Sequence, residues 1–296
     1  MAGRFAPSPT SALHLGNLRT ALVAWLLARR TGRDLLLRIE DLDQQRVAAA
    51  PEVAAGQVAD LLALGLTFDG PIVRQSQRLP RYAAAVAQLP TYECFCTRRE
   101  IAEAASAPHG DGYRPYPGTC ARLTASERAR RRRDRPPALR VRAGGAVETV
   151  TDLLAGQMSA VVDDFVVVRN DGVPAYNLAV VVDDVAQGID QVVRGDDLLS
   201  SSPRQAWLTR QLGGSVAQYL HVPLAVNAEG RRLAKRDQAV TLAELTTRGI
   251  NAGRVLSLLA HSLGLAGPDE PVRAADLIGR FEPQQLPRAQ WVAPQW

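Results

Sequence analysis

Arg4–Arg30 reads RFAPSPTSALHLGNLRTALVAWLLARR. Its opening, with Gly3 before it, has the form of a short strand running into a proline-stopped loop. Leu18, Leu22, Trp25, Leu26 and Arg29 then recur at helical spacing, which predicts a helix from about Leu15 to Arg30. Between loop and helix stands HLGN, His14–Asn17. A helix N-terminus presents free N–H groups and the positive end of the dipole, so it favours anions. Gly16 would let a phosphate come close to the backbone, and His14 could donate to it. The alternative is a capping loop that holds a His by chance, and a four-residue motif does not separate the two.

Outward from this stretch, RDLLLRIE (33–40) reads as a buried strand of the parallel-sheet kind. Pro51 opens another helix, which ends around ALGL (63–66). Strand, helix, strand, helix in succession predicts an α/β fold with a parallel sheet. The pattern changes near Pro90. Residues 91–160 hold all the cysteines, a Pro/Gly-rich loop, the arginine run ERARRRRDR and short β-like pieces, and read as an insertion. The α/β signal returns over 161–220. DFVVVRNDGVPAYNLAVVVDD gives a strand, a turn at Asp171–Gly172 and a helix. IDQVVRG gives a strand, and SSPRQAWLTRQLG a helix with Ser at its cap and Pro in its first turn. The expected organisation is therefore a catalytic α/β domain in two halves, 1–90 and 161–220, split by an insert at 91–160. A loop and short helical region follow at 221–296.

The chain has 296 residues, 46% hydrophobic and 22% charged, the composition of a soluble globular protein with a sizeable core. A net charge of +5 permits a polyanionic partner without requiring one. No run of eighteen apolar residues occurs, and no basic segment precedes an apolar signal core, so a cytoplasmic protein with no membrane span is expected. The three cysteines fall within Cys94–Cys120, and clustered thiols in a reducing compartment point to a metal more than to disulfides. Three merely buried thiols are the alternative. Lys235, the only lysine, sits in RRLAKR (231–236). That loop could bring a cation onto a polyphosphate, or could be a solvated charge run.

In order, RFAPSPTSALHLGNLRTAL, RIEDLD, CFC with a later YPGTC, PAYNLAVVVDD, VVRGDDLL and RRLAKRD resemble the landmarks of the glutamyl branch of class I aminoacyl-tRNA synthetases. The resemblance spans about residues 3–240. Within the branch the chain is most similar to the short paralogue, which lacks the anticodon-binding part and attaches glutamate to the queuosine base of tRNA(Asp). Only about sixty residues follow the LAKR loop, where a full glutamyl synthetase needs a separate helical domain. The resemblance implies a Rossmann-like parallel sheet, an inserted zinc-containing α+β subdomain and a short helical C-terminal part. It implies activation of L-glutamate by ATP with Mg²⁺, transfer to tRNA(Asp) carrying queuosine, and a monomer.

His14, Gly16, Asn17 and Lys235 would then bind ATP and serve catalysis. Arg4, Phe5, Ala6, Pro7, Ser8, Glu40, Tyr176 and Arg194 would surround glutamate. The chemistry agrees: Arg4 and Arg194 suit the two carboxylates, because a guanidinium pairs in a bidentate fork, and Glu40 suits the ammonium. One structural Zn²⁺ would be held by Cys94, Cys96, Tyr116 and Cys120, although His109 and Tyr113 lie in the same loop and could replace the tyrosine. The arginine run 128–135 would touch nucleic acid, or be a solvated helix face. Three other functions fit part of this pattern. They are a discriminating glutamyl-tRNA synthetase that charges a tRNA 3′ end, a non-catalytic RNA-binding paralogue, and a small-molecule nucleotidyltransferase.

Overall fold

The computed structural model describes residues 1–48, 51–97, 99–101, 115–233 and 240–294. The first half follows the predicted alternation: β1 (Ala2–Phe5), α1 (Leu15–Arg30), β2 (Asp34–Ile39), α2 (Gln44–Ala48), α3 (Val53–Ala63), β3 (Val73–Arg74) and α4 (Leu79–Ala87). Next come β4 (Thr91–Cys94), α5 (Ala125–Asp134), β5 (Ala138–Val141), β6 (Val147–Asp152), β7 (Gly156–Val161) and β8 (Val166–Val168). The chain continues through α6 (Tyr176–Ala186), β9 (Ile189–Gly195), α7 (Ser202–Gln211), β10 (Gln218–Val222), β11 (Ala225–Val226), α8 (Leu242–Thr247), α9 (Ala252–Ser262) and β12 (Trp291–Val292).

The main sheet has strand order β3-β2-β1-β9-β10-β6-β7. All its pairings are parallel except β6 with β7. β1 therefore has β2 on one side and β9 on the other, so the chain leaves it in one direction and returns in the other. In an open α/β sheet the crevice at the carboxyl ends of such strands is where ligands bind. α1 crosses this point. Leu18, Leu22, Leu26 and Ala28 are wholly buried on it, and the helix stops where Thr31 Oγ1 donates to Leu27 O at 2.7 Å and Gly32 turns at φ +64°. The segment after the LAKR loop covers the other side of α1. Leu245, Val255, Leu259, Leu277 and Phe281 join its core, and β12 pairs with β11. No helix among the described residues is long and apolar enough to cross a membrane.

Two features differ from the sequence reading. β6 and β7, inside the expected insert 91–160, extend the main sheet, while β8 from the expected second half pairs with β5 in a small antiparallel sheet, β4-β5-β8. Hydrophobic alternation marks a strand but not its partner, and pairing here is decided by distant burial: Val150 of β6 packs with Ala2, Val192 and Tyr219. Ser201 also makes no side-chain cap. A six-residue 3-10 turn, Asp196–Ser201, runs straight into α7, and Pro203 sits in the first turn as expected.

Candidate active site

A cleft of about 800 Å³ opens at the carboxyl ends of β1, β2 and β9. Arg4, Phe5, Ala6, Pro7, Ser8, His14, Gly16, Asn17, Glu40, Tyr176 and Arg194 all line it. Residues that lie up to 190 positions apart in the chain thus share one concavity. Lys235, the only lysine of the chain, lies outside the described residues. Arg231, Arg232 and Leu233, just before it, line the same cleft.

His14 is the N-cap of α1. Its Nδ1 accepts the Gly16 N–H at 3.1 Å, and Asn17 Oδ1 accepts the His14 N–H at 3.2 Å, a reciprocal capping box. Burial first, and then the nearby Arg232 charge, pull the His14 pKa down to about 4. The ring is therefore neutral near pH 7. With Nδ1 accepting, its proton sits on Nε2, which is left to donate. The structure adds a second reason for glycine at position 16. Its N–H is spent on the cap, and the space that a Cβ would fill is taken by protein: His14 Cε1 at 3.0 Å, His14 Nδ1 and Ala225 Cβ each at 3.1 Å. Glycine is needed here so that the imidazole and β11 can close on the helix end. Gly16→Ala should therefore push the ring off its cap. Loss of an N-cap bond costs about 1 kcal/mol, so we expect a Tm lower by a few degrees and ATP-dependent turnover down about tenfold. Thermal melts and steady-state kinetics measure both, and unchanged ATP kinetics would contradict this role.

The charges beneath the cleft form a buried network. Arg38, wholly buried in β2, donates to Asp184 Oδ1 at 2.7 Å, Gln187 Oε1 at 2.9 Å and Glu40 Oε1 at 3.4 Å. Asp183 accepts from Arg78 Nε at 2.5 Å, Tyr82 at 2.8 Å and Gln75 at 3.1 Å. Arg4 lies above, its Nη1 on Val193 O at 3.2 Å and its Nε 3.6 Å from Asp184 with no hydrogen bond of its own. Burial raises the Glu40 pKa, against the opposing pull of Arg38 and Arg4. A carboxylate in that state gains from a further cation, which is what an ammonium group would supply. Arg194 is buried too, yet its contacts are with His221, Gln205, Tyr176, Ser202 and the Leu198 carbonyl, none of them an anion.

A second cluster lies in the small sheet. The Sγ atoms of Cys94, Cys96 and Cys120 all fall within 4.8 Å of one another and could hold a metal ion. The Tyr116 hydroxyl is 3.5 Å from Cys94 Sγ and 3.7 Å from Cys96 Sγ, and it accepts the Cys120 N–H at 2.7 Å. Two cations face the cluster: Arg131 Nη1 is 3.6 Å from Cys120 Sγ, and the Arg140 guanidinium stacks 3.7 Å from the Tyr116 ring centroid. Three thiolates and a phenolate around a divalent ion would carry excess negative charge, and these arginines suit it. His109 and Tyr113 lie outside the described residues. On α5 the arginine run divides. Arg132 pairs with Glu93, and beyond the helix end Arg135 pairs with Glu100, while Arg130, whose nearest opposite charge is Glu127, and Arg133 are exposed.

The family described as tRNA synthetases class I (E and Q), catalytic domain, matches residues 1–286. The chain belongs to this family. A glutamyl-Q tRNA(Asp) synthetase of Nocardia farcinica is 56% identical, over 98% of this chain and 92% of that protein. One of Cutibacterium acnes is 57% identical, over 96% of this chain and 85% of that protein. A glutamate tRNA ligase from Elizabethkingia meningosepticum, crystallised in complex with its amino acid, superposes with a TM-score of 0.79 at 27% identity. That match covers 98% of this chain and 66% of the ligase, so the chain spans about two thirds of the ligase's length. Within the family's landmark stretches, Arg38, Asp183 and Asp184 were passed over in the sequence reading. The available signal was a charge inside an otherwise apolar buried strand or helix, in RIEDLD and in AVVVDD.

Proposed function

We propose that the protein activates L-glutamate with ATP to glutamyl-adenylate and transfers the glutamyl group to the queuosine base in the anticodon of tRNA(Asp). The observation that carries this reading is the convergence of two cationic groups, one anionic group and a capped helix end in one cleft. Arg4 and Arg194 offer guanidinium cations, Glu40 offers the ammonium partner, and Tyr176 offers a hydroxyl. The names of the relatives from Nocardia and Cutibacterium supply the acceptor.

In activation, a glutamate carboxylate oxygen attacks the α-phosphorus of ATP. A P–O bond forms, and the bond to pyrophosphate breaks. Negative charge grows on the phosphoryl oxygens, so preorganised donors are the main catalytic resource. His14 Nε2–H and the α1 N-terminus serve there, and Lys235 acts on the β- and γ-phosphates as they leave. Mg²⁺ accompanies ATP and neutralises part of its charge. In transfer, a queuosine hydroxyl attacks the adenylate carbonyl and AMP leaves. Cys94, Cys96, Cys120 and Tyr116 would hold one zinc ion, which when bound supplies a structural cross-link. Exposed Arg130 and Arg133 would meet RNA phosphates. The protein would work as a monomer in the cytoplasm.

The test is pyrophosphate exchange followed by transfer. Purified protein without tRNA should show glutamate-dependent exchange of pyrophosphate into ATP. Labelled glutamate should then enter tRNA(Asp) that carries queuosine and not the unmodified tRNA, and nuclease mapping should find it in the anticodon loop. Exchange that needs tRNA, with label at the 3′ end, would give the assignment to an ordinary glutamyl-tRNA synthetase.

A further inference from the structure

Arg194 is a buried cation whose five N–H groups all reach neutral acceptors. Nη1 donates to Gln205 Oε1 at 2.7 Å and approaches the Tyr176 hydroxyl at 3.5 Å. Nη2 donates to Ser202 Oγ at 2.8 Å and to the Leu198 carbonyl at 3.2 Å. Nε donates to Nε2 of His221 at 3.0 Å. The first carboxylate along these contacts stands one ring further on: His221 Nδ1 is 2.7 Å from Asp152 Oδ2. Three adjacent strands supply the three groups, Asp152 from the end of β6, His221 from β10 and Arg194 from β9, and His221 and Arg194 are register partners. All three are at least nine-tenths buried, at 2%, 2% and 5% exposure.

The chemistry permits one polarity. An arginine Nε can only donate, so His221 Nε2 must accept and the ring proton must sit on Nδ1, facing Asp152. Burial, together with the Arg194 charge, holds the His221 pKa below its ordinary value despite Asp152, so the ring is neutral. Asp152 is fixed in turn. Burial opposes its ionisation, but hydrogen bonds from His221 and from the Ala155 and Leu154 N–H groups prevail and keep its pKa low. Tyr219 stacks on the imidazole at 5.8 Å and sets its plane.

We infer that His221, backed by Asp152, is a positioning residue that aims the Arg194 guanidinium into the cleft without cancelling its charge. A carboxylate placed directly on Arg194 would pair with it in a fork and compete with any anionic ligand. A neutral imidazole in between orients the group and leaves the charge for a substrate carboxylate. Asp152 and His221 themselves do not line the cleft, so they act through Arg194. The inference rests on the reading of this cleft as a glutamate site.

Asp152 also holds the turn at 154–155, so changing it risks the fold, and the decisive variants are at His221. In His221→Asn the side chain is too short to offer Arg194 Nε an acceptor. In His221→Gln a carbonyl reaches about where Nε2 stood. In glutamate-dependent pyrophosphate exchange, His221→Asn should raise the glutamate KM about tenfold, the scale of one charge-assisted hydrogen bond. Its kcat and ATP KM should stay near wild type, and His221→Gln should recover most of the loss. An unchanged glutamate KM in His221→Asn, or glutamate and ATP constants worsening together in both variants, would overturn the inference. A nitrogen NMR spectrum of the wild-type protein decides the relay independently of substrate. It should show His221 protonated at Nδ1 only, and an Arg194 Nε–H protected from exchange that is lost in His221→Asn. A proton on Nε2 overturns the relay. Wild-type protein that exchanges no pyrophosphate with glutamate refutes the substrate reading instead, and the spectrum still decides the relay.

Discussion

Arg194→Ala should raise the KM for glutamate about a hundredfold or more while leaving the KM for ATP near that of wild type. The size follows from the arrangement of charge. Arg194 is 5% exposed and, among the described residues, touches only neutral groups, so a carboxylate arriving in the cleft meets a guanidinium already held in place. A hydrogen bond to a charged group contributes about 1.5–3 kcal/mol, and one such bond lost together with the guanidinium charge that faces the carboxylate corresponds to roughly 10²-fold in affinity. Truncation also strands the buried His221, Gln205 and Ser202 acceptors. Arg194→Lys should recover only part of the loss, because one ammonium cannot serve acceptors spread around a planar fork. In the proposed mechanism ATP meets the capped end of α1, where His14 depends on Gly16 and Asn17 and not on Arg194, so its KM should move little. Initial-rate pyrophosphate exchange at varied glutamate and varied ATP measures both constants. A loss shared equally between the two substrates would mean that Arg194 supports the cleft as a whole.

The parts of the fold that were legible in the sequence are those governed by local physics. α1 begins at Leu15 and ends at Arg30 as its periodicity predicts, because His14 caps one end and Thr31–Gly32 stop the other. The alternation around it implied a parallel sheet and therefore a site at its strand ends. The expected cleft residues do meet there, from Arg4 to Arg194, because each sits at a strand or helix end that this topology gathers. What the sequence did not show is governed by partners distant along the chain. Nothing in the VETVTD of β6 says that it extends the main sheet while β8 leaves it. Asp152 and His221 are 69 positions apart and belong to no local motif, so their contact follows only from the order β9-β10-β6. The crowding that requires glycine at position 16 comes from the imidazole two residues earlier and from Ala225, more than two hundred residues away. The arginine run was read as a single unit, yet half of it is tied to carboxylates and the thiol cluster.

Cys96→Ser should reduce bound zinc from about one ion per chain to near none, and should loosen one side of the small sheet while leaving the other in place. The two sides rest on different supports. β5 and the β8 segment reach the main body through Val141, Val162, Phe165 and Val167, which pack with Tyr82, Leu178 and Trp207. Among the described residues the opposite side has only a small cluster of its own, Tyr92, Cys94, Phe95, Tyr116 and Cys120, with Cys96 and a few partly buried neighbours. Apolar area on that scale does not hold such a segment by itself, and a bound metal would supply the missing free energy. Amide exchange should therefore speed up over 92–97 and 115–123 and stay slow over 139–141 and 165–168. The cluster does not line the cleft, so glutamate-dependent pyrophosphate exchange should fall no more than about twofold, whereas transfer to tRNA should fall about tenfold through displacement of the α5 arginines. If the three thiols are simply buried, serine is a small change and neither exchange nor transfer should move. Metal analysis of wild-type protein never exposed to chelator is the direct control, and a content near zero would refute the zinc site. Tyr116→Phe then locates the fourth ligand: loss of metal assigns the phenolate, and full retention shifts that position to His109, Tyr113 or water.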